Sequence, residues 1–298
     1  MIAVVDAGRW TTIQDRGRPG LERFGIPSGG AADWFAAAVA NRIVGNQEDA
    51  ALLECTGTGP TLRFDADAVV ALTGGHSPRA PNWQSIRIAR GSSLTVGTIA
   101  PGLRTYVAVQ GGIDVPLVLG SRSFCQRGTF GGGFGRPLQR GDGLAIGRLG
   151  QHEPLSGPWP ESHRLPARGP WEVRVIAGPQ HDAFAHGAVE RLTATACRVS
   201  PEIDRMGLRL ETPGLRLQPQ EILTVPMTAG TIQVTPSGGL IVLHVDHQST
   251  GGYPVIATVI SADLPLLAQA RPGDTVRFRI ADRAEAARAR RRLTGWLD

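Results

Sequence analysis

Two polar, glycine-punctuated stretches hold the residue types from which a reaction site could be built. The first, Thr11-Thr12-Ile13-Gln14-Asp15-Arg16-Gly17-Arg18-Pro19-Gly20, sets the carboxylate of Asp15 beside Arg16 and Arg18. It continues through Gly25-Ile26-Pro27-Ser28-Gly29-Gly30-Ala31-Ala32-Asp33. A carboxylate next to guanidinium forks suits phosphate or carboxylate recognition; a surface ion pair explains the same three residues equally well. The second, His247-Gln248-Ser249-Thr250-Gly251-Gly252-Tyr253-Pro254, places an imidazole, an amide, hydroxyls and two glycines between two apolar runs. Polar loops held between strands often carry function, and a wide hairpin connection is the plain alternative. If both stretches serve one reaction, folding must bring them to a shared cleft, in this chain or across a partner interface.

Further candidates are weaker. Gly131–Gly135 beside Arg136 fits an anion nest or a simple barrel turn. Asp33 fits a helix cap or a ligand. His244 and His247 flank Asp246, and His181 lies five residues before His186; neither spacing is a metal signature, and no metal is expected. No Gly-x-Ser-x-Gly elbow is present. The chain has no lysine, all 31 basic residues being arginine. A Walker A loop, a Schiff base and a covalently attached biotin are thereby excluded. Cys55, Cys125 and Cys197 are an odd, scattered trio, read as reduced core thiols.

The elements that must position these residues are mostly strands. With 39 glycines, 22 prolines and 41% hydrophobic residues, the composition is that of a turn-rich β protein. Short strands bounded by Gly or Pro recur over Leu52–Thr56, Thr61–Phe64, Ala68–Thr73, Ser85–Ile88, Ser92–Val96 and Arg104–Gln110, as in a barrel or sandwich. Helices are expected over Asp33–Val44, near Pro179–Glu190 and over Asp282–Trp296, the last opened by a capping box of Asp282 and Glu285. The 25 or so residues after the first strand read as an aperiodic functional loop.

Arg140-Gly141-Asp142-Gly143 and Arg271-Pro272-Gly273-Asp274 each lead into a strand, which points to tandem duplication. The expected division is a β-barrel domain over 1–148, a Pro/Gly-rich linker or strap over 149–170, and a second barrel with a C-terminal helix over 171–298. The net charge of +5 comes from arginines scattered among acids, with only two tyrosines, so nucleic acid is not an expected partner. With no apolar run of membrane length and no signal peptide at Met1-Ile2-Ala3-Val4-Val5, a cytoplasmic protein without a membrane partner is expected.

Four blocks, in order, carry a family resemblance over essentially the whole chain. They are Thr12–Gly20, Pro27–Asp33, Gly120–Ser123 with Gly131-Gly132 and Gly135-Arg136, and Gln248–Pro254 with Ile256–Ile260. The chain resembles the biotin-dependent carboxyltransferase-like family that includes the C-type subunit of prokaryotic 5-oxoprolinase, often labelled allophanate hydrolase subunit 2. Phe124-Cys125, where many relatives carry Thr-Asp, and Ser249, where Thr is common, are departures.

The resemblance implies a mainly β fold of two tandem cyclophilin-like β-barrel domains with a few short helices. It implies a subunit of an ATP-hydrolysing 5-oxoprolinase that opens a cyclic amide, with a B-type partner subunit in a heterotetramer or larger and ATP shared with the partner subunits. A carboxyltransferase acting on biotin carried by another chain, and a non-catalytic regulator of the B-type partner, are the alternatives. Under this resemblance Arg18, Arg122 and Arg136, read as exposed polar groups, would clamp a transferring phosphoryl group. Asp15 would serve as acid–base group or hold a metal-bound water. Gln248, Thr250 and Tyr253 would orient the substrate, with Ser28, Asp33, Gln110 and Ser123 as further substrate contacts.

Overall fold

A computed structural model describes residues 1–150, 152–180, 183–212 and 222–297. The chain forms two compact units. One comprises Met1–Pro19, Gly29–Ala167 and Leu297, the other Gly20–Ser28 and Arg168–Trp296. The stretch expected as a linker thus packs, up to Ala167, as part of the first unit. Leu155 N–H donates to the Ile43 carbonyl at 2.9 Å, Trp159 N–H to the Trp83 carbonyl at 2.7 Å, and the Ser85 hydroxyl to the Leu155 carbonyl at 2.9 Å. Its prolines hide these bonds from any periodicity argument.

The first unit holds two open five-stranded sheets. β1 (Ile2–Asp6), β4 (Thr58–Phe64), β7 (Ser93–Thr98), β9 (Ile113–Asp114) and β10 (Gly143–Ile146) form one, in the order β7-β4-β1-β10-β9. β2 (Thr11–Gln14), β3 (Leu52–Thr56), β5 (Ala68–Gly74), β6 (Ser85–Ile88) and β8 (Arg104–Val109) form the other, in the order β2-β3-β8-β5-β6. Both sheets feed one core, including Ile2, Phe64, Leu53, Leu72, Val107 and Leu144. Each such fully buried side chain contributes about 1.5–3 kcal/mol. The helix α1 (Trp34–Ile43) packs on β5 and β8, and Asp33 caps it, its carboxylate accepting from Ala36 N–H at 2.9 Å. The start of the expected aperiodic loop is a strand instead. All four residues of β2 are buried and pair with β3, with the Thr11 hydroxyl donating to the Ala7 carbonyl at 2.6 Å and Gln14 Nε2 to the Phe124 carbonyl at 3.2 Å.

The second unit closes. β11 (Trp171–Ala177), β12 (Ala196–Ile203), β13 (Gly207–Glu211), β15 (Thr231–Val234), β16 (Leu240–Leu243), β18 (Val255–Val259) and β19 (Thr275–Ile280) form a seven-stranded barrel. The pairing of β11 with β19 is parallel and completes the circle. Period-two alternation sorts the faces: Trp171, Val173 and Val175 of β11, with Val276 and Phe278 of β19, point inward, while Glu172, Arg277 and Arg279 face out. A two-stranded ribbon of β14 (Val225–Pro226) and β17 (Thr250–Gly251) lies beside the barrel.

Among the described residues, three α-helices belong to this unit: α2 (Ala188–Ala194), α3 (Leu264–Gln269) and α4 (Arg283–Gly295). The first begins later than its sequence pattern suggests, and His181, like residue 182, lies outside the described residues. α3, too short for a readable apolar period, has no sequence signal beyond Pro265 in its first turn. α4 carries the expected cap, with Asp282 accepting from Glu285 N–H.

The repeated Gly-Asp turns are the same local structure. Gly141 and Gly273 sit at φ 93° and 91°, a conformation favoured by glycine. Their N–H groups donate to Val4 and Val199 carbonyls, each at 2.8 Å. The side chains of Asp142 and Asp274 accept from the N–H three residues earlier, Gln139 at 2.7 Å and Arg271 at 3.0 Å. Among the described residues, no helix is long and apolar enough to cross a membrane.

Candidate functional site

In the first unit Asp15 is a hub, and its partners show what it does. One carboxylate oxygen accepts from Gly17 N–H at 2.7 Å and from the hydroxyls of Ser121 and Ser123, each at 2.6 Å. The other accepts from Arg122 N–H at 2.5 Å. Asp15 N–H donates back to the Ser123 hydroxyl at 2.9 Å. Ser121 and Ser123 are fully buried. Four donors converge on this carboxylate, three of them on one oxygen, so it braces the Gly120–Ser123 segment against the N-terminal stretch.

The three expected clamp arginines separate. Arg18 is 2% exposed, donates to the Ser123 carbonyl at 2.6 Å and lies over the Phe130 ring at 5.0 Å, so it is no surface group. Arg136 makes a bidentate pair with Asp142, both bonds at 2.8 Å, and lies over Phe134. The Arg136 hydrogen bonds outweigh burial and hold the Asp142 carboxyl below its ordinary range. Arg136 therefore ties down the first Gly-Asp turn. Arg122 is as exposed as Arg136 but has no close carboxylate partner: its Nε donates to the Val115 carbonyl at 2.9 Å, and Asp114 lies 3.8 Å from its Nη2.

The Gly131–Gly135 stretch does not form a phosphate cradle. A Cβ on Gly131 would fall 2.2 Å from the Ser123 carbonyl oxygen, on Gly132 2.7 Å from Phe124 Cβ, and on Gly133 2.7 Å from Val115. The glycines admit the protein's own chain, and with Arg136 engaged this stretch does not fit a nucleoside triphosphate.

Asp33 and Gln110 lie elsewhere in this unit. Asp33 is 3% exposed and belongs to a buried network: its N–H donates to the Tyr106 hydroxyl at 2.7 Å, which donates to Glu54 at 2.9 Å, with Arg104 3.7 Å from Glu54. Burial, then the charge of Glu54, pushes the Tyr106 hydroxyl far up, so it stays a neutral donor. Gln110 borders a separate 470 Å³ cavity with Asp67, Val69 and Arg87.

The second unit holds a cleft of the same volume beside the Gln248–Tyr253 loop, a cavity of 470 Å³ on the outer side of β12, β13, β15 and β16. Gln233, Gln248 and Tyr253 line it together with the charged Glu202, Asp204 and Arg209, and Ile241 and Leu243 give it an apolar side. The β14–β17 ribbon and the bond from Met227 N–H to the Ser249 carbonyl at 2.9 Å fix the loop. His247, 3% exposed, makes a 2.6 Å bond between Nδ1 and the Gln248 carbonyl. A carbonyl only accepts, so Nδ1 carries the proton. Behind the loop Arg205 and Asp246 form a buried bidentate pair at 2.8 and 3.1 Å. Thr250 is exposed, its backbone pairs with Pro226 in the ribbon, and it does not line the cavity. Of the expected orienting residues, Gln248 and Tyr253 line the cavity.

Ser28 belongs to this unit through Gly20–Ser28. Its hydroxyl donates to Glu22, and Gly20 N–H donates to the same carboxylate at 2.8 Å. Burial opposes the Glu22 charge, but the Ser28 bond, the backbone N–H groups and the field of His247 outweigh it and hold the carboxyl below its ordinary value. The N-terminal stretch is thus divided, Asp15 and Arg18 folding with the first unit and Glu22 and Ser28 with the loop at 247–253. Glu22 and Gln233 escaped the sequence reading. Glu22 sits in a segment with no period, and Gln233 is an ordinary strand residue until β16 and the loop are beside it. Among the described residues no group of three metal-ligating side chains converges.

Comparison with known proteins places this geometry in context. Residues 24–280 match the family model described as carboxyltransferase domain, subdomain A and B. The chain is 36% identical over 303 residues to the C-type subunit of 5-oxoprolinase from Escherichia coli, covering 97% of this chain and 94% of that protein. It is 33% identical to urea amidolyase of Lachancea kluyveri, over 92% of this chain but 16% of the relative. The crystal structure of Kluyveromyces lactis urea amidolyase superimposes with a TM-score of 0.92 at 30% identity, over 100% of this chain and 20% of that one.

Proposed function

Because this chain belongs to the carboxyltransferase domain family, we propose that it serves as the C-type subunit of a 5-oxoprolinase, in a complex that opens the lactam ring of 5-oxoproline to glutamate. The observation that carries this reading is the end-to-end likeness to the Escherichia coli 5-oxoprolinase subunit, against the 16% of urea amidolyase that the chain spans. The name of that relative supports a multi-subunit enzyme; a B-type chain of the same superfamily is the partner we assign.

An unstrained amide needs activation at its oxygen, and coupling to ATP supplies it by converting that oxygen into a leaving group. The glycine stretch here does not fit a triphosphate and the chain has no lysine, so we place the nucleotide on the partner subunits. This chain's own part is to hold the lactam at the Gln248–Tyr253 cavity. Arg122 is the clamp candidate best able to meet an anion, since Arg18 is buried and Arg136 is held by a bidentate carboxylate, whereas Arg122 has only the looser Asp114 beside it.

The test is reconstitution. Co-expression with the partner subunits should give ATP-dependent release of glutamate from 5-oxoproline, lost when this chain is omitted. Glutamate release that is unchanged without this chain would refute the reading. Transfer of the carboxyl group of carboxybiotin to a urea or amide acceptor by the complex, releasing biotin and without lactam opening, would instead support the carboxyltransferase alternative.

A further inference from the structure

The cavity on the second unit has an oriented pair of carboxamides on its wall, and their directions are fixed by the backbone. The Tyr253 carbonyl only accepts, so the group facing it at 3.3 Å must be Gln233 Nε2. That leaves Gln233 Oε1 turned toward Gln248, whose Nε2 donates to it at 3.3 Å. The second N–H and Oε1 of Gln248 have no hydrogen-bond partner among the described residues. His247 anchors the Gln248 backbone from below. Gly251 makes room for the arrangement: a Cβ there would fall 2.6 Å from Gln233 Nε2 and 3.1 Å from Met227 Cε. An apolar cluster of Met227, Leu243 and Val255, with Ile241 packed on it, adjoins the pair.

We infer that Gln248 reads the ring-locked cis amide of a five-membered cyclic ligand, with Gln233 as the residue that orients it. A carboxamide presents one edge on which N–H and C=O lie side by side. An open-chain secondary amide is trans and offers its donor and acceptor on opposite sides. A five-membered lactam is locked cis and offers them together, so the two edges can exchange two hydrogen bonds. The apolar side then receives the ring methylenes. The lactam form of this inference rests on the 5-oxoprolinase reading; the cis-amide edge itself does not, because the cyclic ureide of a biotin-like ligand presents the same pattern.

Titration of the full chain, followed by NMR, tests this with four probes: 2-pyrrolidinone, N-methyl-2-pyrrolidinone, 5-oxoproline and 2-imidazolidinone. Methylation removes the donor and keeps the ring, so N-methyl-2-pyrrolidinone should bind the wild type at least tenfold more weakly than 2-pyrrolidinone. Gln248→Leu should bind the two alike. Gln248→Glu, of the same size, should lose tenfold or more for 2-pyrrolidinone, because a carboxylate offers no donor to the lactam carbonyl. Gln233→Leu should reduce the discrimination between the two pyrrolidinones, which a loss of packing alone would not do. Melting curves of each variant establish that the barrel is intact.

Equal binding of the methylated and unmethylated rings to the wild type would overturn the inference, as would unchanged discrimination in folded Gln248→Leu. Binding of 2-imidazolidinone with no binding of 5-oxoproline would support the cis-amide edge while refuting its lactam form. A reconstituted complex that opens 5-oxoproline with wild-type KM after Gln248→Glu would keep the proposed function and overturn this site.

Discussion

Replacing Asp15 by alanine separates a brace from an acid–base group. Its carboxylate accepts four hydrogen bonds, and two of the donors are the hydroxyls of Ser121 and Ser123, which are 0% exposed. Orphaning a buried hydroxyl costs about 1–3 kcal/mol, while Gly17 and Arg122 are half-buried and their N–H groups are reached by water. The expected loss is therefore about 3 kcal/mol. In a unit of roughly 150 residues each kcal/mol moves the melting midpoint by about 2–4 °C, so the first unit should melt about 6–12 °C lower. Asp15→Asn keeps one acceptor oxygen and should fall about halfway. Differential scanning calorimetry, with the two units fitted as separate transitions, measures this. A midpoint within about 2 °C of wild type, together with lost turnover in the reconstituted complex, would refute the brace and restore Asp15 as a reacting group.

Other outcomes follow from the same structure. Asp142→Asn should lower stability at neutral pH, and the gap from wild type should close in acid: a depressed folded pKa gives stability that is complete above the ordinary 3.8 and lost as pH falls through the lower folded value. Glu22→Gln should behave likewise about its ordinary 4.5, read by acid titration of the second unit's melting. Arg205→Ala leaves the fully buried Asp246 uncompensated and should cost about 3–5 kcal/mol, seen as a large drop in the second unit's urea midpoint. Gly131→Ala, at φ 75° with a Cβ 2.2 Å from the Ser123 carbonyl, should cost about 2 kcal/mol or more by the same assay. The thiols of Cys55, Cys125 and Cys197 are buried, with burial pushing Cys197 up to about 11. None should react with Ellman's reagent in the native protein at pH 8, and all three should react in guanidinium chloride.

Composition and local pattern alone determined much of this protein. Gly- and Pro-bounded runs located strands such as Leu52–Thr56 and Ser85–Ile88 to the residue, because strand propensity and turn chemistry are local properties. The caps at Asp33 and Asp282, and the twin Gly-Asp turns, were legible for the same reason: each is a contact within a few residues. The missing lysine excluded whole mechanisms without any coordinates.

What only the tertiary structure decided is how each polar group is spent. Asp15 meets residues more than a hundred positions away. Arg18 and Arg136 looked like exposed anion binders, yet one is buried against the Ser123 carbonyl and the other is bound to Asp142. Residue type states what a side chain can donate or accept; whether that capacity is left for a ligand depends on which distant strands and loops have already used it. Gln233 and Gln248 show the converse. Gln248 stood out in sequence only as one polar residue of its loop and Gln233 did not stand out at all, and the orientation of their amides comes from one backbone carbonyl that folding places 3.3 Å from Gln233.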